Sequence, residues 1–156
     1  MISLKKLKKK NFAIYGLGLT GLSVINLLKK NKIKNFYAWD DKIEKRKKLN
    51  LKISAAQYSQ SLNKVDYIVI SPGINWDKSK FKKNLIKNKN KIITDIDLFY
   101  ILNKKIKSIV VTGTNGKSTT CKILEHLLKK NKFNVNVCGN IGKPIFNAKT
   151  FKEGYY

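Results

Sequence analysis

The chain has 156 residues, enough for one ordinary domain or for one domain and part of a second. Its hydrophobic fraction of 42% allows a buried core and excludes wholesale disorder. The two cysteines, Cys121 and Cys138, are too few and too unpatterned for a disulfide framework or a zinc site. No apolar run has the form of a signal peptide or the length of a membrane span. We therefore expect a cytoplasmic protein with no membrane partner.

The formal net charge of +25 would ordinarily indicate a nucleic-acid or membrane-surface partner. Nearly all of it comes from lysine, because Arg46 is the only arginine. Lysine recurs with asparagine and isoleucine in runs such as 29–35 and 87–93, as AT-rich codon usage would produce. A dedicated nucleic-acid surface more often uses arginine, whose planar fork suits phosphate and guanine. We therefore predict no specific nucleic-acid partner; a basic nucleic-acid-binding protein is the alternative.

Short apolar runs alternate with amphipathic stretches, a pattern typical of βαβ units around a parallel sheet. In chain order the predicted elements are a strand at 12–15, a helix at 20–31, a strand at 35–39, a helix at 43–49, a strand at 65–70, a helix at 79–88, a strand at 91–94, a helix at 95–102, a strand at 106–112, a helix at 117–130 and a strand at 134–138. Asp95 is the predicted cap of the helix at 95–102. The pattern predicts an α/β protein.

The first glycine loop, Gly16-Leu17-Gly18-Leu19-Thr20-Gly21, follows the first predicted strand and precedes a helix. It matches the dinucleotide fingerprint, in which the first glycine allows a tight turn, the second lets a diphosphate approach, and the third packs helix on strand. Asp40 ends the second predicted strand, where an acidic residue would meet a ribose or base. The loop fits NAD, FAD or a UDP-linked ligand equally well, and a turn without any ligand is the plain alternative.

The second glycine loop, Gly113-Thr114-Asn115-Gly116-Lys117-Ser118-Thr119, predicts a nucleoside-triphosphate site. Its backbone N–H groups would wrap the phosphates, and Lys117 would supply a point charge to the terminal ones. Ser118 is placed to ligate Mg²⁺. The loop is shorter than the standard form, since only Thr114 and Asn115 separate the two glycines. A structural turn without a ligand is the alternative here too.

Two α/β units follow from these loops. We predict a Rossmann-like parallel-sheet domain in residues 1–93 and the start of a P-loop ATPase-type α/β domain in residues 94–156. The second unit has only two predicted strands and one helix, too few to bury a parallel sheet on both faces. We therefore expect this second domain to be incomplete.

The shortened second loop resembles that of the Mur ligase superfamily and of folylpolyglutamate synthetases. Within that group, the chain resembles the N-terminal part of the members that add D-glutamate. The matching segments are Gly16-Leu17-Gly18-Leu19-Thr20-Gly21-Leu22-Ser23, Ser71-Pro72-Gly73-Ile74, Asp95-Ile96-Asp97-Leu98-Phe99 and Gly139-Asn140-Ile141-Gly142-Lys143-Pro144. The resemblance covers essentially the whole chain but only about the first third of a typical member.

The resemblance implies an ATP- and Mg²⁺-dependent ligase that joins D-glutamate to UDP-N-acetylmuramoyl-L-alanine in cytoplasmic peptidoglycan synthesis. ATP would phosphorylate the substrate carboxylate, and the amine of D-glutamate would attack the acyl phosphate. It also implies a monomer at full length, and Lys117 as a catalytic residue that, with Mg²⁺ on Ser118, spreads charge on the transferred phosphoryl group.

By the same resemblance, eight residues bind the UDP-linked substrate: Gly18, Leu19, Thr20, Asp40, Asp41, Lys42, Gly73 and Asn140. Lys42 stands where relatives often have arginine, so it would make a point-charge contact instead of a bidentate one. In members of the family, the other metal ligands and the D-glutamate site follow the position that matches Tyr156. We therefore expect this piece to be inactive alone. The alternative function is an NAD- or FAD-binding oxidoreductase or sensor module, based on the first loop and Asp40.

Overall fold

The computed structural model describes residues 7–103, 106–139, 143–148 and 154–156. The chain divides into two compact units, Met1–Leu102 and Asn103–Tyr156. The helix Asp95–Leu102 falls in the first of these units. The domain boundary predicted at residues 93 and 94 stays a prediction.

The first unit contains a parallel sheet of four strands, which confirms the α/β class. The strands are β1 (Phe12–Tyr15), β2 (Phe36–Trp39), β3 (Tyr67–Ile70) and β4 (Ile92–Ile93), in the order β2-β1-β3-β4. In the central strand β1, Tyr15 is paired with Trp39 on one side and Ile70 on the other. All four β1 side chains are buried. Since side chains alternate between faces, both faces of the sheet are covered at this strand.

The helices of this unit are α1 (Leu19–Lys30), α2 (Ile43–Lys48), α3 (Ala55–Lys64), α4 (Lys82–Lys87) and α5 (Asp95–Leu102). The helix predicted at 79–88 is shorter, because 3-10 turns at Trp76–Lys78 and Lys89–Lys91 flank α4. Helix α3 was not among the predicted elements. It begins with a reciprocal cap, in which Ser54 Oγ accepts from the Gln57 N–H at 3.2 Å and Gln57 Oε1 accepts from the Ser54 N–H at 2.9 Å.

The predicted cap of α5 is wrong by one residue. Thr94 Oγ1 accepts from the Asp97 N–H at 3.1 Å, and Asp97 Oδ2 accepts from the Thr94 N–H at 2.7 Å. Asp95 is instead the first residue of the helix and is buried. The reciprocal geometry needs an acceptor three residues after the cap, and Asp97 supplies it only to Thr94.

An aromatic cluster fills the sheet face beneath the ends of β1 and β2. It consists of Tyr15, Trp39, Tyr58 and Phe81, whose ring centroids lie 5.2 to 6.2 Å apart in the pairs that contact one another. Such tilted and edge-on contacts suit the charge distribution of aromatic rings. The cluster fixes the side chains of Tyr15 and Trp39 immediately before the loops that follow these strands.

Helix α1 starts where β1 ends, because two glycines let backbone pack on backbone. A Cβ at position 21 would lie 1.8 Å from the carbonyl oxygen of Gly16. Gly16 itself has φ of +98°, and a Cβ there would lie 2.7 Å from Ser71 Cβ. These distances confirm the roles predicted for the first and third glycines of the loop.

The second unit contains helix α6 (Lys117–Lys130) and a 3-10 turn at Ile145–Asn147. The strands predicted at 106–112 and 134–138 are not formed in the described residues of this unit. Lys107 and Val135 instead each make an isolated parallel bridge to Tyr155. A ladder extends only where two segments stay paired over successive residues, and in the described residues each of these pairings is a single bridge.

Replacing Gly21 by alanine should destabilise the first unit by at least about 3 kcal/mol, because the new methyl group collides with backbone that cannot rotate away. The measurement is urea unfolding followed by tryptophan fluorescence, which reports this unit alone because Trp39 and Trp76 both lie in it. Gly18→Ala is the matched control, since no atom lies within 4 Å of its Cβ position. A Gly21→Ala protein as stable as the control would contradict this packing.

Candidate functional site

The first glycine loop presents a row of free N–H groups at the start of α1. None of the N–H groups of residues 18–21 donates to another residue in the part of the chain that the structure describes. Leu19 is 73% exposed, the space beside Gly18 is open, and the first turn of the helix holds no acidic side chain. A helix N-terminus with unpaired donors and no competing carboxylate attracts phosphate groups. The approach of a diphosphate at Gly18 stays a prediction.

Asp40 is buried and fastens this loop to the end of β2. Its Oδ2 accepts from the Leu17 N–H at 2.6 Å, and its Oδ1 accepts from the Lys42 N–H at 2.9 Å. The Lys45 ammonium lies 3.2 Å from Oδ2. Burial by itself would raise the pKa of Asp40, but these three donors outweigh it and hold the pKa of this carboxyl below its ordinary value. The carboxylate therefore connects two parts of the protein's own backbone, the glycine loop and the turn after β2.

Asp41 faces the aromatic cluster. The Tyr15 hydroxyl donates to Asp41 Oδ2 at 2.6 Å, and the Trp39 indole N–H donates to Oδ1 at 3.2 Å. The Tyr15 hydroxyl also lies 2.8 Å from Ser79 Oγ. Burial, reinforced by the hydrogen bond to Asp41, raises the pKa of Tyr15 well above its ordinary value, so this hydroxyl stays protonated.

Six of the predicted substrate residues lie in two loops of the first unit. Gly18, Leu19 and Thr20 start α1, while Asp40, Asp41 and Lys42 form the turn after β2. Gly73 is exposed in the turn after β3, where the Ile74 N–H donates to the Ser71 carbonyl at 3.0 Å. The eighth residue, Asn140, lies outside the described residues.

Sequence reasoning missed two residues that shape this site. Ser71 Oγ donates to the Gly16 carbonyl at 3.0 Å and so ties the β3 turn to the glycine loop. Arg46 donates to the carbonyl oxygens of Asp40 and Asp41. A serine beside a turn is too common to predict such a contact from sequence, whereas a single arginine among many lysines could have marked this position.

The second glycine loop has the backbone form of an anion-binding nest. Gly113 has φ of +141° and Gly116 has φ of +76°, conformations that favour glycine. No N–H group of residues 114–119 donates to any other described residue. Successive unpaired N–H groups followed by a helix form a site for phosphate oxygens. All seven loop residues except Lys117 are exposed, and Lys117 is half-buried.

Lys117 folds back onto this loop. Its ammonium donates to the carbonyl oxygen of Gly113 and, at 2.9 Å, to that of Thr114. The charge therefore lies inside the curve of the loop, beside the free N–H groups. Ser118 is exposed at the start of α6, so its hydroxyl is accessible to a cation bound to phosphates. The donor set of the loop fits a nucleoside triphosphate, and one hydroxyl oxygen fits a Mg²⁺ ion held mainly by that nucleotide and water.

The described residues show two further features. No group of three or more histidine, cysteine, aspartate or glutamate side chains among them is arranged to hold a metal ion. None of the helices in these residues is both long enough and apolar enough to cross a bilayer.

The Asp40 carboxylate should make the first unit sensitive to acid. A carboxyl whose pKa is lower in the folded than in the unfolded chain stabilises the fold above about pH 4, and this stabilisation is lost as the pH falls through the folded-state pKa. Asp40→Asn should lower the free energy of unfolding by roughly 1–3 kcal/mol at pH 7 and reduce its decline between pH 6 and pH 3. Urea titrations across this range give both quantities.

Asp77→Asn is the control for that experiment, because the Asp77 side chain is 72% exposed and its ion pair with Lys82, at 3.5 Å, lies at the surface. Some acid sensitivity should remain in every variant, since hydrogen bonds and Lys10 also hold the pKa of Asp66 low against the effect of its burial. An acid decline in Asp40→Asn equal to that of the unmodified chain would contradict the role of Asp40.

Comparison with known proteins identifies relatives along most of the chain. A protein described as UDP-N-acetylmuramoylalanine--D-glutamate ligase from Rickettsia bellii is 39% identical over 154 residues, which are 95% of this chain and 33% of the relative. The protein of the same description from Wolbachia pipientis is 37% identical over 164 residues, covering 99% of this chain and 31% of the relative. A Francisella tularensis protein of that description is 46% identical over 96 residues, 60% of this chain and 23% of the relative.

The chain thus spans about a third of the length of the first two relatives. A family model described as Mur ligase MurD-like, N-terminal domain, matches residues 10–94. These residues include both turns that carry the Asp40 and Gly73 positions and the whole first glycine loop. The chain belongs to the MurD-like branch of the Mur ligase family.

Proposed function

We propose that this chain is the substrate-binding and ATP-binding part of a ligase that adds D-glutamate to UDP-N-acetylmuramoyl-L-alanine in peptidoglycan synthesis. One observation supports it most directly: in each of the two glycine loops, a row of N–H groups donates to no other residue in the part of the chain that the structure describes. A ligase of this kind needs one phosphate site for a sugar nucleotide and a second for ATP. The relatives described as UDP-N-acetylmuramoylalanine--D-glutamate ligases indicate the reaction.

The first loop would hold the UDP diphosphate. Gly18, Leu19 and Thr20 offer N–H groups with the positive end of the α1 dipole behind them. Lys42 and Gly73 border the same region from the neighbouring turns, and Asp40 and Asp41 keep the β2 turn in place. Asn140 is the remaining substrate residue that the family resemblance implies.

The second loop would hold ATP. Its N–H groups would replace part of the hydration of the phosphates, and Lys117 would exchange its contacts with the loop carbonyls for contacts with the terminal phosphate oxygens. A Mg²⁺ ion on Ser118 would supply charge neutralisation at the same oxygens. The chain's own contribution is positioning and electrostatic stabilisation of the phosphoryl group that passes to the substrate carboxylate.

A dinucleotide-dependent oxidoreductase or sensor module is the second candidate, since the first loop alone would suit NAD or FAD. Asp40 argues against it. Both of its oxygens already accept backbone N–H groups and one also faces Lys45, so three of the carboxylate's about four acceptor positions are used. It could not accept from two ribose hydroxyls without losing a partner that stabilises the fold. We infer cytoplasmic action as a monomer at full length, without a specific nucleic-acid partner.

Calorimetric titration tests this assignment. UDP-N-acetylmuramoyl-L-alanine should bind the 156-residue chain saturably, and UDP should compete with it. NADH should produce no saturable heat. Saturable NADH binding that UDP does not affect would favour the oxidoreductase and overturn the proposal.

Lys117→Ala should weaken binding of a non-hydrolysable ATP analogue roughly ten- to hundredfold, the effect of losing one or two charge-assisted hydrogen bonds to phosphate. Affinity for the UDP-linked substrate should not change. Lys122→Ala is the matched control, because Lys122 is an exposed lysine on the same helix. Undiminished analogue binding in Lys117→Ala would refute the role of Lys117.

We also expect no phosphate release by the chain alone with ATP and D-glutamate.

A further inference from the structure

We propose that Arg46 is a positioning residue for the UDP site, acting through the turn at residues 40–42 that borders the first glycine loop. The inference rests on the proposed function of that loop. Arg46 lies on helix α2, and nothing in the sequence pattern or the family resemblance gave it a role.

The Arg46 guanidinium makes two kinds of contact at this turn, hydrogen bonds to carbonyl oxygens and a cation–π contact. Its Nη1 donates to the Asp40 carbonyl at 2.5 Å and to the Asp41 carbonyl at 3.3 Å. Its Cζ also lies 4.0 Å from the centroid of the Trp39 ring. The guanidinium carbon therefore lies over the ring of the last residue of β2, while Nη1 donates to the two residues that follow.

Lysine could not reproduce this arrangement. A guanidinium is flat, so it can stack on an indole and still direct N–H groups at two carbonyls, whereas an ammonium is a compact point charge. Of the 34 basic residues in this chain, 33 are lysine, and the one arginine occupies the position whose contacts need a planar donor. Charge alone is abundant here, since Lys80 Nζ also lies 4.4 Å from the Trp39 centroid.

The effect of Arg46 reaches the ligand through Asp40. Arg46 fixes the backbone of Asp40, whose carboxylate in turn holds the Leu17 N–H and the Lys42 N–H. Leu17 directly precedes the free N–H groups of residues 18–21, and Lys42 is itself a predicted substrate residue. A looser turn would let both shift, so the donors would have to be ordered again when the diphosphate binds.

The test compares Arg46→Lys, Arg46→Ala and the control Lys47→Ala in the 156-residue chain. Lys47 is exposed on the same helix and its side chain makes no hydrogen bond or ion pair with the described residues. Affinity for UDP-N-acetylmuramoyl-L-alanine and for the ATP analogue is measured by calorimetry. Hydrogen exchange of the Leu17 and Lys42 amides, followed by NMR, reports the turn itself. Tryptophan fluorescence establishes a temperature at which every variant is folded.

We expect both Arg46 variants to bind the UDP-linked substrate about tenfold more weakly than the unmodified chain. Exchange at the Leu17 and Lys42 amides should be faster in both, while ATP-analogue affinity and the Lys47→Ala control stay unchanged. Full substrate affinity in Arg46→Lys with loss only in Arg46→Ala would show that charge suffices and would overturn the inference. So would a lower unfolding midpoint in both variants with unchanged affinity, the result of a purely structural role. Absence of saturable binding by the unmodified chain would instead overturn the proposed function, and this inference with it.

Discussion

The approach of Gly21 to the Gly16 carbonyl is the contact on which the first site depends. With a side chain at either position, α1 could not begin at the end of β1, because a Cβ at residue 21 would overlap the Gly16 oxygen. The close approach places the unpaired N–H groups of residues 18–21 directly at the carboxyl edge of the sheet. Ligands of open α/β sheets bind at this edge. The same glycine turn admits Ser71, whose hydroxyl then ties the β3 turn to the loop.

The two glycine loops are stabilised in opposite ways. The first is held by a buried carboxylate, Asp40, which accepts a backbone N–H from the loop and another from the β2 turn. The second is held by a cation of its own, Lys117, bonded to the Gly113 and Thr114 carbonyls. In the proposed function, the Lys117 ammonium would exchange these carbonyl oxygens for phosphate oxygens of greater charge.

Sequence reasoning reached the α/β class, the helix positions beside both loops and the roles of Gly16 and Gly21, because each depends on local pattern. Helix α3 escaped it although Ser54 and Gln57 carry a capping signal, since only Tyr58 and Leu62 mark its apolar face strongly. Asp95 and Thr94 are both good caps, and the choice between them depended on Asp97. The hydrogen-bond and ion-pair partners of Asp40 could not be predicted from the sequence. They come from residues 17, 42 and 45, and only the paired strands bring Leu17 to Asp40.

The second unit shows the difference between a loop, which needs only local contacts, and a sheet, which needs partners distant in sequence. The second glycine loop forms from contacts within a few residues, such as the Thr120 N–H with the Gly116 carbonyl at 2.9 Å. The segments before and after it gain no such local support. Val110 is 80% exposed, and Ile123 and Leu127 on α6 are about half exposed. Strands need hydrogen-bonding partners distant in sequence, and an amphipathic helix needs a surface to cover its apolar face. In the described residues the second glycine loop is therefore formed, while the predicted strands on either side of it pair only through single bridges, because only the loop's geometry is local.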